Sequence, residues 1–118
     1  MDIEDKKQII ESCLEDIAGI SDKEYQKRVW IRGEGPECDS FDETVCTFFQ
    51  NGGGVVEDYK NFPITDEQYQ VLKKFHDEFR IFVDETDFPE LMTETDEWAK
   101  IMESAKEVLK AFNYKNRA

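Results

Sequence analysis

One histidine and three cysteines are the side chains best suited to nucleophilic chemistry in this sequence: His76, Cys13, Cys38 and Cys46. A thiol attacks as the thiolate, which needs a nearby cation, a metal or a helix N-terminus. Cys13 shares an apolar stripe with Ile10, Leu14 and Ile17 and reads as a small buried hydrophobe. Cys46 lies beside the apolar stripe of a later helix. Cys38 falls in a loop, but its neighbours Glu37 and Asp39 disfavour a thiolate. His76 projects to the edge of a helical apolar face, near Tyr69, where a packed boundary residue is expected. No nucleophile-elbow serine motif is present, and among 28 acids a close carboxylate pair is not diagnostic. The inventory predicts a protein that is not an enzyme; the alternative is a small enzyme using Cys38 or His76.

Phosphate and metal chemistry are as weakly marked. Gly33-Glu34-Gly35-Pro36 has no third glycine, no Lys-Ser/Thr pair and no preceding apolar strand, so it reads as a turn rather than a phosphate cradle. An odd number of cysteines without a C-x-x-C pair fits neither a disulfide framework nor a zinc knuckle. Asp84 to Glu97, DETDFPELMTETDE, carries seven acids and no base. Clustered oxygens suit hard cations, yet the D-x-[DN]-x-[DN]-G order and its glycine are missing. No metal and no cofactor are expected, with a divalent-cation-binding helical protein as the alternative.

What stands out instead is charge. The chain has 28 acids against 15 bases, a formal net charge of -13. Residues 1–59 hold 15 of the acids and 6 of the bases, so the excess is concentrated there. Such a field repels nucleic-acid phosphates and anionic lipid heads and attracts basic proteins. Direct nucleic-acid binding and membrane binding are therefore not expected. Within Val29 to Phe49, a Gly-x-Gly-Pro turn joins an aromatic entry at Trp30 to an aromatic helix, among Glu34, Glu37, Asp39, Asp42 and Glu43. Aromatic side chains supply contact energy and carboxylates supply steering. Together with Asp84, Asp87 and Glu90, these residues form the candidate partner-binding surface. The expected function is to neutralise or recruit a basic partner, as an immunity or inhibitor protein does for a toxin or nuclease. A nucleic-acid mimic that blocks a DNA- or RNA-binding protein is a close variant.

Helices must position these residues. The 118 residues, 13% aromatic, suffice for one domain with a single core. Helical periodicity predicts six segments: 2–19, ended by Gly19; 22–32, opened by the capping box Ser21-x-x-Glu24; 40–50, opened by Ser40-x-x-Glu43; 55–61; 66–83, opened by Thr65-x-x-Gln68; and 96–112, capped by Thr95 or Thr93. Val29 to Ile31 also alternate as a strand would, but the capping signal favours helix. Asn51-Gly52-Gly53-Gly54 is expected to break the third helix from the fourth. The fold class is all-α, a compact bundle of four main amphipathic helices with one or two short ones. An N-terminus charged where a signal peptide is apolar, and no apolar run of spanning length, predict a cytoplasmic location.

Overall fold

The structure, a computed structural model, describes residues 3–33, 41–85 and 95–114. These form an all-α bundle of four long helices: α1 (Ile3–Ser21), α3 (Phe41–Glu57), α4 (Asp66–Glu85) and α5 (Asp96–Ala111). Between α1 and α3, a single turn α2 (Lys23–Tyr25) runs on into a π-helical turn (Gln26–Ile31), so Val29 to Ile31 are helical. A 3-10 turn (Tyr59–Asn61) separates α3 from α4. No described helix is long and apolar enough to cross a membrane.

Two of the predicted caps form as expected. The Thr65 amide donates to Gln68 Oε1 at 2.9 Å while the Gln68 amide donates to Thr65 Oγ1 at 3.0 Å, a reciprocal capping box. Thr95 caps α5 by accepting from the Trp98 amide at 3.2 Å. The Ser21 box does not form. Ser21 is the last residue of α1, its hydroxyl donating to Ala18 O at 2.8 Å, and Asp22 is the residue that caps α2, accepting from the Tyr25 amide at 3.2 Å. Either residue can cap; the helix that precedes Ser21 claims its hydroxyl. Gly19 likewise does not end α1. Its missing side chain admits Tyr25, whose Cε1 would lie 3.3 Å from a Cβ at Gly19. Ser40 lies outside the described residues. At the far end, Asn113 takes a φ of 55° and the Tyr114 amide reaches Leu109 O at 2.9 Å, a Schellman turn that closes α5.

Neighbouring helices run antiparallel. Thr47 Oγ1 donates to Asp16 Oδ2 (2.9 Å) between α3 and α1; Ser104 Oγ donates to Glu78 Oε2 (3.1 Å) and Gln68 Nε2 to Ala111 O (3.2 Å) between α5 and α4. The α3–α4 seam is aromatic: Phe48 packs edge-on against Phe75 (5.3 Å) and Phe79 (5.7 Å), while Phe49 stacks on Phe79 (5.5 Å). Ile17, Ile20, Phe48, Phe75, Phe79, Trp98, Ala105 and Val108 are fully buried. Burying such side chains contributes about 1.5–3 kcal/mol each, before the entropy of ordering them.

The expected break at Asn51–Gly54 is absent, because α3 continues to Glu57. Glycine disfavours helix by about 1 kcal/mol per residue relative to alanine, so tertiary packing must compensate. Gly52 shows how. A Cβ there would lie 3.0 Å from Phe48 Cε1, 3.2 Å from Phe48 Cζ and 3.4 Å from Cys13 Sγ, so its absence lets α1 and the Phe48 ring close over the backbone. Gly54 has nothing within 4 Å of the same construction. The two glycines should therefore respond oppositely. By urea denaturation, Gly52→Ala is expected to lose about 1 kcal/mol despite its better helix propensity, and Gly54→Ala to gain about 0.5–1 kcal/mol. A gain at both positions would mean that the Phe48 ring yields without cost.

Candidate functional site

Antiparallel order brings the end of α1, the start of α3, the end of α4 and the start of α5 to one pole of the bundle. A buried amide organises that pole. Gln26 is 0% exposed. Its Nε2 donates to two carbonyls at the end of α1: Gly19 O at 3.0 Å, which also accepts from the Asp22 amide at 3.3 Å, and Ile20 O at 2.7 Å. Its Oε1 accepts from the indole Nε1 of Trp98 at 2.9 Å. Flipping the amide would oppose like groups on both sides, so the three bonds define one orientation. Among the described residues, every buried side-chain nitrogen and oxygen has a partner.

The π-turn that begins at Gln26 closes with the Arg32 amide donating to Lys27 O at 3.0 Å. It lays the Trp30 ring 6.4 Å from Trp98, with Tyr25 edge-on to Trp30 at 6.1 Å. Trp98, fully buried, also meets Phe82 (5.3 Å) and Phe79 (6.3 Å) on α4. Three guanidinium groups fold onto the protein around this pole. Arg28 lies over the Tyr25 ring at 5.9 Å, Arg32 Nε donates to Lys27 O at 3.3 Å, and Arg80 lies over the Phe49 ring at 5.3 Å.

Three residues of the predicted surface have described side chains, and all lie at this pole. Trp30 is half-buried in the aromatic cluster. Glu43 is exposed in the first turn of α3. Asp84 is exposed in the last turn of α4, its carboxylate 3.9 Å from Arg80 Nε. Asp42 contributes backbone to the first turn of α3. Glu34, Glu37, Asp39, Asp87 and Glu90 lie outside the described residues, as does Cys38. The described anchors of the two acidic stretches, Gly33 and Phe41 for one, Glu85 and Thr95 for the other, all belong to the same pole, and Asp96 and Glu97 are exposed there. Glu34–Glu43 and Asp84–Glu97 together carry twelve acids and no base. Gln26 and Trp98, which hold the pole together, were not among the residues singled out from sequence. The available signal was a glutamine one helical turn before Val29 and Trp30, on their face.

The nucleophile candidates sit elsewhere. Cys13 is 2% exposed beneath α3, and burial, assisted by Asp16, pushes its thiol up to about 12. Cys46 is an exposed thiol on the outer face of α3. His76 is a half-buried boundary residue of α4, packed against the rings of Phe49 (5.3 Å) and Phe48 (6.0 Å), with Nδ1 3.2 Å from Asp77 Oδ1; Tyr69, two turns earlier, stacks on Tyr59 at 3.7 Å. Lys73, 2.7 Å from Asp77, and then His76 hold the Asp77 carboxyl below its usual range. Among the described residues, no group of three or more His, Cys, Asp or Glu could hold a metal ion. Compared with protein-family models, curated proteins and solved structures, the chain gives no significant match.

Desolvation of Cys13 has a measurable consequence. In a Cys38→Ser/Cys46→Ser background, an aromatic disulfide reagent at neutral pH should modify Cys13 only through opening of the bundle, at least about a thousandfold slower than in the denatured chain. The thiol's folded pKa lies above its unfolded value, so this contribution to stability is present below pH about 9 and is lost as pH rises toward about 12. Rapid native-state modification would contradict the burial.

Proposed function

We propose that the protein binds a basic protein partner through the Trp30 pole and thereby neutralises or recruits it, in the manner of an immunity or inhibitor protein acting on a toxin or nuclease. One observation carries the reading: both base-free acidic stretches are anchored at the same end of the bundle, beside an aromatic cluster. Charge of one sign presented from one rigid end steers an oppositely charged partner and raises its association rate. The carboxylates gain little by pairing in water, whereas half-buried Trp30 supplies apolar contact area at the same pole. A cationic nucleic-acid-binding protein would be recognised by the same chemistry. The reading places the protein in the cytoplasm, where its cysteines would stay reduced.

The test is capture of the partner from the native cell at about 50 mM salt and again at about 500 mM, followed by kinetics on the purified pair. A basic protein should be retained at low salt and released at high salt. Replacing Glu34, Glu37, Asp39, Asp42 and Glu43 by their amides should slow association at least about tenfold at low salt and change dissociation little. Binding indifferent both to salt and to these five substitutions would overturn the proposal.

A further inference from the structure

Gln26 sits on the π-turn and Trp98 on the first turn of α5, elements 72 positions apart in the chain, and their side chains meet at 2.9 Å in the dry interior. The same Gln26 amide holds the last carbonyls of α1 at Gly19 and Ile20. Trp98 in turn belongs to the turn that Thr95 caps, with the Ala99 amide donating to Thr95 O at 3.1 Å. Both side chains are fully buried, so moving either turn breaks hydrogen bonds made in the interior. A buried network of this kind opens as a unit or stays closed. The opposite pole is held separately by the Thr65–Gln68 box and the bond from Gln68 Nε2 to Ala111 O.

We propose that Gln26 is a positioning residue that makes the π-turn and the first turn of α5 open and close as one cooperative unit, independent of the opposite pole. The unit holds Trp30 and the exposed Asp96 and Glu97 in fixed register before a partner arrives. Its relevance to partner binding rests on the function proposed above; the coupling itself does not. Preorganisation of this kind lowers the ordering cost of association.

Amide hydrogen exchange on the full-length chain tests the coupling. In the wild-type protein, the amides of Trp98, Ala99 and Arg32 should share one opening equilibrium and one dependence on low urea concentrations, distinct from those of Gln68 and Tyr69. Gln26→Met removes all three side-chain bonds at similar length, and Trp98→Phe removes the indole donor together with some ring volume, leaving the α1 carbonyls bonded. Each should speed exchange of both turns together by at least about tenfold and change Gln68 and Tyr69 by less than about twofold. Faster exchange confined to the π-turn, or wild-type turns with separate urea dependences, would overturn the proposal. So would acceleration spread equally to Gln68 and Tyr69, which would show global stability alone. Coupled turns in a protein without a basic partner would refute the proposed function and keep the coupling; uncoupled turns in a protein with such a partner would do the reverse.

Discussion

The Trp30 pole of the bundle depends on one side chain, the amide of Gln26. A helix ends with carbonyls that have no intrahelical donors, and burying them uncompensated costs about 1–3 kcal/mol each. At the end of α1 the hydroxyl of Ser21 serves Ala18 O, and Gln26 serves Gly19 O and Ile20 O. The amide's remaining oxygen then takes the indole proton of Trp98, the largest fully buried side chain. Without that acceptor, Trp98 could fill the space between α1 and α4 only by leaving its own donor dry. The polar network and the aromatic core are thus one construction, and the chain's return from α1 toward α3 is set by it.

From this point the packing follows outward. Trp98 touches Phe79 and Phe82, Phe79 stacks with Phe75 and Phe49, and Phe48 closes the interior against Gly52 and Cys13. Offset and edge-on ring pairs each add about 0.5–1.5 kcal/mol beyond their buried area. The ion pairs, by contrast, lie on exposed faces. Lys74, itself exposed, reaches half-buried Glu78 at 3.9 Å and exposed Glu107 at 3.7 Å, and such long, hydrated pairs add little.

Local chemistry was legible in the sequence; tertiary compensation was not. Thr65, Gln68 and Thr95 cap the helices that their spacing predicts, because a cap needs only residues three apart. Ser21 and Asp22 are both competent caps, and the choice between them was decided by α1. The run Gly52-Gly53-Gly54 reads as a break because the benefit of close approach at Gly52, to Cys13 and Phe48, lies in another helix and another turn. Gln26 was passed over for a related reason. A lone polar residue beside apolar ones reads as surface until the carbonyls and the indole that bury it are in place. Of the candidate surface, its acidity and Trp30 follow from composition and spacing, whereas the shared pole of its two stretches follows only from antiparallel packing.

If Gln26 and Trp98 stabilise the fold through each other, the losses on replacing them are not additive. A double-mutant cycle of Gln26→Met and Trp98→Phe, read by urea denaturation, isolates that contribution from the separate losses of length and ring volume. The expected coupling is about 1–3 kcal/mol, with the double variant less destabilised than the sum of the singles. Additive losses would show that the indole and the amide merely lie side by side, and the organisation of this pole would have to be sought elsewhere.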